Sequence, residues 1–166
     1  MHNSYYSTNI EKMVVELGYT SREIVRPVAA ASPFVQLKAM VCESVGPLRH
    51  EVSVPFHDSQ VRSSALLIQT GWDKFWGTDA YWDPGPFLAE HLIFRMIRSG
   101  VKLVGVDFHV AGKSSDTRLI TSGQIPIVEN LRNLSSLPRV GFRFSAVPVE
   151  SSGEPIRKVY AYAEIG

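Results

Sequence analysis

Apolar positions along the chain change period several times, and each change predicts an element. Near the N-terminus Thr8 stands three residues before Glu11, and Thr20 three before Glu23. Both are capping-box spacings. Gly18 is placed to end a short helix over Ile10 to Leu17, because glycine tolerates the left-handed cap. Pro27 limits any second helix, since its ring cannot continue an interior turn. From Phe34 to Val41 the pattern alternates, with Val35, Leu37, Ala39 and Val41 on one side of a predicted strand. His50 to Phe56 alternates again, placing Val52, Val54 and Phe56 together and sending His50 and Glu51 to opposite faces.

The middle of the chain is more apolar. Ala65 to Thr70 reads as a short buried strand, and Gly71 to Pro86 as an aromatic, turn-rich segment. The spacing of Leu88, Leu92 and Met96, with Ile93 and Ile97 beside them, predicts a helix over Phe87 to Ser99 stopped by Gly100. Val101 to Val106 and Ile125 to Val128 are buried strands by composition. Arg143 to Val149 and Ile156 to Ala163 alternate on either side of Ser151-Ser152-Gly153-Glu154-Pro155, which predicts a hairpin. Strands and helices mix without strict alternation, so the expected class is α/β with a mixed sheet and flanking helices.

Composition narrows the class without naming a chemistry. The 166 residues, 45% apolar and 20% charged, suit one soluble globular domain over residues 1–166. The formal charge of +1, without a basic run, gives no nucleic-acid footprint. No apolar stretch reaches the roughly 18–20 residues of a membrane span. The start has no basic region followed by an apolar core, so no secretory signal is read there. Cys42 is the only cysteine, which rules out an internal disulfide or a thiolate cluster and predicts a buried, inert thiol. A cytoplasmic location fits these features. No GxSxG, P-loop, GxGxxG or HExxH pattern is present.

The chemistry-bearing residues gather between Ala65 and Leu134. ALLIQTGWDKFWG opens this stretch, with Tyr81 and Pro86-Phe87-Leu88 after it. GVKLVGVD follows at Gly100 to Asp107, then IPIVENLRNL at Ile125 to Leu134. Farther on come GFRFSAVPV at Gly141 to Val149 and Pro155-Ile156-Arg157-Lys158-Val159. In this order and spacing the segments resemble the cyclase-like metal-dependent hydrolases, the family that includes bacterial kynurenine formamidase and isatin hydrolase. The resemblance is strongest over residues 65–163, and residues 1–60 diverge. It implies a swivelling β/β/α fold shortened at its N-terminal side, a homodimer, and opening or closing of a cyclic amide or ester in a small molecule.

The family's site has two parts. The N-terminal part is an HxGTHxDxPxH segment, in which two histidines and the aspartate bind a divalent metal and the last histidine moves protons. Aligned on Pro55 and His57, this chain puts Pro47, Glu51 and Ser53 at the ligand positions and keeps only His57. The C-terminal part is a histidine in an HTRLL-like stretch and the glutamate of IVENL. Glu129 matches that glutamate, and Asp116, or Thr117 if the one-residue offset is placed differently, takes the histidine position.

The resemblance therefore implies Glu129 and Asp116 as holders of a divalent metal, manganese or zinc, or as a direct acid–base pair. Imidazole and carboxylate suit such ions, and an aspartate shifts the preference toward manganese or magnesium. His57 or His109 would move protons, and Asp107 ends a buried strand where functional groups often sit. Trp72, Phe75, Trp76 and Trp82 would hold the substrate. Each residue also has a plain structural reading: a helix-start charge for Glu129, a turn or cap for Asp107, a solvated loop histidine for His109, and core packing for the aromatics. His91 reads as structural. Two further readings stay open, an inactive relative serving as a binding or partner subunit, and a fragment that exposes an apolar patch where a lost lobe packed.

Overall fold

The computed structural model describes residues 13–24, 34–44, 50–82, 85–110, 125–149 and 156–166. Their strands are β1 (Met13–Ile24), β2 (Phe34–Glu43), β3 (Glu51–Val52), β4 (Ala65–Gln69), β5 (Phe87–Leu88), β6 (Leu103–Val106), β7 (Ile127–Glu129), β8 (Phe142–Pro148) and β9 (Ile156–Ile165). The helices are a single turn, α1 (Asp58–Val61), and α2 (Glu90–Ser99). A closed barrel runs in the order β1-β7-β6-β4-β2-β8-β9, and β3 pairs with β5 apart from it. β2, β4, β6 and β7 are mutually parallel neighbours. β8 joins β2 antiparallel, and β1 closes the barrel antiparallel to both β7 and β9. The class is the α/β mixed sheet expected from the sequence.

Two apolar cores share the barrel wall. One fills the interior with Leu17, Ala39, Val41, Leu67, Leu103, Val128, Phe144 and Ala161. The other lies between the wall and α2, where Met40, Leu66, Ile68, Val104 and Val106 meet Leu92, Ile93 and Met96. Successive side chains of a strand point to opposite faces, so the residues of β4 and β6 alternate between the two cores. This explains why both read as continuous apolar runs. Gly105 belongs to this packing, since a Cβ there would stand 2.6 Å from Leu67 Cδ2 and 2.7 Å from Leu131 Cδ1.

α2 begins later than the apolar spacing predicts. Phe87 and Leu88 extend to pair with Glu51 and Val52, and the helix starts after Ala89. Its end is as expected. Gly100 takes the left-handed conformation at φ 79°, and the Val101 N–H returns to the Met96 carbonyl, a Schellman closure. Burying Leu92, Ile93 and Met96 stabilises the helix by roughly 1.5–3 kcal/mol each.

The first expected helix is not formed. Residues 13–17 begin β1, which pairs with β9 from Met13↔Ile165 onward. Adjacent β-branched Val14 and Val15 suit a strand, and partners on both sides outweigh a local capping pattern. Thr8 and Glu11 lie outside the described residues, Thr20 and Glu23 fall within β1, and Gly18 takes φ 140° where the β1–β9 register shifts. In β2 an irregularity at Gln36 (φ 54°) leaves Val35 exposed, while Ala39 and Val41 still face the interior. Val52, Val54 and Phe56 are buried on one side as their alternation predicts, although only Glu51 and Val52 pair as a strand. β8 and β9 form the predicted antiparallel pair, and the turn between them lies outside the described residues.

Candidate active site

The parallel strands deliver three polar residues to one end of the barrel. Thr70 follows β4, Asp107 follows β6, and Glu129 ends β7. Polar groups at the carboxyl ends of parallel strands are the usual place for a ligand site in α/β sheets. Glu129 is fully buried. Its Oε1 accepts the Val110 N–H at 2.8 Å and lies 3.2 Å from His109 Nδ1. A carboxylate facing Nδ1 assigns the imidazole proton to that nitrogen. The ring itself is 18% exposed.

Asp107 has a different task. Its Oδ2 accepts the N–H groups of Thr70 (2.9 Å) and Gly71 (2.8 Å), and its Oδ1 accepts the Thr70 hydroxyl (2.6 Å). The Thr70 Oγ1 in turn accepts the Trp72 N–H at 3.1 Å. This side chain therefore ties the aromatic loop to the barrel where Gly71 turns at φ 83°, a backbone region that favours glycine. Burial raises the Asp107 pKa to about 6, against the lowering effect of the Thr70 and Gly71 bonds, and the Asp73 carboxylate adds to the rise.

The aromatic residues divide into two groups. Trp72 is buried, donates its indole N–H to the Tyr81 carbonyl at 3.0 Å, and packs edge-on with Phe75 and His50. Trp76 and Trp82 lie on the other side, around Tyr81. Trp82 stands edge-on to His109 with ring centroids 4.9 Å apart, and it is exposed. Trp76 and Trp82 thus adjoin the Glu129–His109 pair, whereas Trp72 is chiefly packed into the core. The Tyr81 hydroxyl donates to Asn130 Oδ1 at 2.8 Å. Burial, and then the carboxylates of Asp107, Glu129 and Asp73, push the phenol pKa upward, with Arg132 opposing.

The remaining expected site residues do not converge there. His57 is exposed at the start of α1, where its N–H is held by Gln60 Oε1. The next residue, Asp58, accepts the hydroxyl of Ser99 at the C-terminus of α2, beside the turn that leads into β6. His57 therefore sits toward the end of the barrel opposite Glu129. Glu51 and Ser53 are exposed, and Ser53 Oγ lies 3.0 Å from His91 Nε2. Pro47, Asp116 and Thr117 lie outside the described residues. Cys42 is buried, its thiol facing the Pro55 carbonyl, and burial raises its pKa. Two cavities of roughly 320–330 Å³ open elsewhere on the barrel, one along Lys38, Phe142 and Arg143 and one along Glu43, Gln69 and Arg139. Neither includes Glu129 or His109.

Tyr81, Asn130 and Arg132 were not singled out as site residues. Tyr81 and the Asn of IVENL stand inside the segments quoted from the sequence, but only the fold shows that they bond each other. Arg132 sits in the same run without any distinguishing pattern.

The donor set falls short of a metal centre among the described residues, where no group of three His, Cys, Asp or Glu side chains is placed to hold an ion. Glu129 and His109 offer two ligands, and both Asp107 oxygens are taken up by Thr70 and Gly71. A catalytic zinc site commonly has three protein ligands.

No family model matches the chain. An uncharacterized protein of Methanocaldococcus jannaschii is 34% identical over 96 residues, a match that spans 55% of this chain and 50% of that protein. Among solved structures, isatin hydrolase A from Ralstonia solanacearum superposes with a TM-score of 0.67 at 13% identity, covering 93% of this chain and 82% of its own. A potential metal-dependent hydrolase with cyclase activity gives 0.66 at 14%, covering 94% and 87%. An isatin hydrolase bound to the product analogue thioisatinate gives 0.61 at 12%, covering 90% and 73%. The chain has the fold of these proteins.

Proposed function

We propose that this chain is an acid–base enzyme that opens or closes a cyclic amide or ester in a small, planar molecule. The fully buried Glu129 held 3.2 Å from His109 Nδ1 carries this reading. The pair follows the logic of a carboxylate that orients an imidazole and stabilises its protonated form. In hydrolysis, His109 Nε2 takes a proton from water as the water oxygen adds to the ring carbonyl. The same nitrogen then returns the proton to the departing ring nitrogen or oxygen. In cyclisation the steps run in reverse. Trp82, edge-on to His109 and exposed, and Trp76 behind it offer flat surfaces for the ring. The activities named for the fold's neighbours, isatin hydrolysis and potential cyclase chemistry, agree with this class.

A divalent metal at Glu129 remains part of the proposal only if residues beyond those described supply the third ligand, and no step above uses one. The short donor set also favours a second reading, a ligand-binding relative without turnover.

A panel of lactones and cyclic amides, assayed for ring-opened product, tests the proposal. Turnover by the wild type, reduced about 10²–10⁴-fold in Glu129→Gln with an unchanged far-UV spectrum, is the expected result. Saturable binding of a panel member without product would establish the binding reading. A Glu129→Gln variant as fast as wild type would remove Glu129 from the chemistry.

A further inference from the structure

Arg132 lies three residues beyond Glu129 and is half-buried. Its Nε is inaccessible to solvent and has no hydrogen-bond partner. Among the described residues no carboxylate forms an ion pair with it. The guanidinium carbon stands 5.4 Å from the centroid of the Trp76 ring, and Trp76 packs against both Tyr81 and Trp82. The backbone beneath it is fixed. The Arg132 N–H bonds the Leu17 carbonyl at 2.7 Å, and the next residue, Asn133, is left-handed with its N–H on Asp73 Oδ2. Asp73, an acid of the aromatic loop, is thus engaged with the backbone through Oδ2.

A partly desolvated guanidinium that forms no ion pair among the described residues is costly. Its two Nη groups can receive a planar anion through two parallel N–H bonds. Its neighbours add specificity. Trp76 supplies a flat apolar surface, and the Tyr81 phenol is neutral because burial and nearby carboxylates oppose its ionisation.

We infer that Arg132 is the anion-recognition residue of this site and takes the carboxylate of the ring-opened compound while Trp76 and Trp82 hold its ring. The inference rests on the proposed hydrolase or cyclase reading for the identity of that compound. Opening a cyclic amide or ester releases a carboxylate, and closing one starts from it. A charge placed for that group therefore favours the open form in either direction.

The test is binding, independent of turnover. Two of the chain's three tryptophans, Trp76 and Trp82, lie in this cluster and the third, Trp72, bonds the Tyr81 carbonyl beside it, so intrinsic fluorescence reports on it. Benzoate and its neutral isostere benzamide serve as probes. Wild type should bind benzoate about 10–100-fold more tightly than benzamide, and Arg132→Gln should lose that preference while its benzamide affinity is unchanged. Arg132→Lys keeps the charge but not the planar fork and should fall between. Unchanged benzamide binding shows that a variant is folded. Equal affinities in wild type, no saturable benzoate binding, or a benzoate preference that survives in Arg132→Gln would overturn the assignment. Arg132-dependent benzoate binding without turnover on the lactone panel would retain the anion site and discard the enzyme reading. Turnover without an Arg132-dependent preference would do the reverse.

Discussion

Replacing Asp107 by Asn changes a charge and little else. The amide carbonyl can take the place of Oδ2 and keep the bonds from the Thr70 and Gly71 N–H groups. The amide nitrogen then faces the Thr70 hydroxyl, which turns to accept. The Asp107 pKa stands at about 6 in the fold against 3.8 for an ordinary carboxyl. At 1.36 kcal/mol for each tenfold change in proton affinity, that rise is worth about 3 kcal/mol. Because the folded pKa is the higher one, the native state binds the proton more tightly than the unfolded chain. The stabilisation is complete below the unfolded pKa and is lost as pH rises through about 6. Asn, which does not titrate, has none of this dependence. Urea unfolding of both proteins, followed by tryptophan fluorescence at several pH values from about 4 to 7, gives the difference in unfolding free energy. That difference, wild type minus variant, should fall by about 2.5 kcal/mol across the range. A flat difference, or one that grows with pH, would mean that the three hydrogen bonds outweigh burial, and the reasoning fails.

Other substitutions probe the packing and the site. Gly105→Ala forces a methyl group against Leu67 and Leu131 and should cost about 1–3 kcal/mol in a denaturation midpoint. Tyr81→Phe removes the hydrogen bond to Asn130 and should cost about 1–2 kcal/mol. If that bond also steadies the adjoining Glu129, turnover on a lactone should drop more than substrate affinity does. Met96→Ala empties volume beneath the buried face of α2 and should lower stability by roughly 2–5 kcal/mol.

Much of the frame was legible because the signals were strong and local. The apolar runs at Ala65 and Val101, the stripe of Leu92, Ile93 and Met96, and the stop at Gly100 each depend on neighbours in sequence. The segment before Leu17 misled for the opposite reason. Its partner is the far strand β9, and no nearby residue announces it. The same distinction applies to the site. Asp107 was legible because it ends a buried strand, and Glu129 because the IVENL segment carries the family resemblance. The meeting of Glu129 with His109, and of Tyr81 with Asn130, follows from how the loops return over the barrel. His57 was drawn in by matching the spacing of Pro55 and His57, and the descent of residues 50–58 toward the C-terminus of α2 carries it away. Arg132 gave no signal, since a charge that forms no ion pair among the described residues becomes visible only when its surroundings are.

The way the barrel closes has a consequence for the chain during its synthesis. β1 lies between β7 and β9, pairing Met13 with Ile165 and Arg22 with Glu129. A ribosome adding roughly 5–20 residues per second would keep β1 without its last partner for on the order of ten to thirty seconds. Until then the strand presents the unsatisfied edge that faces β9 and the interior face of Leu17, the features that invite pairing with another chain. The nascent protein is therefore open to misassembly until β9 has been made, because the barrel cannot close before then.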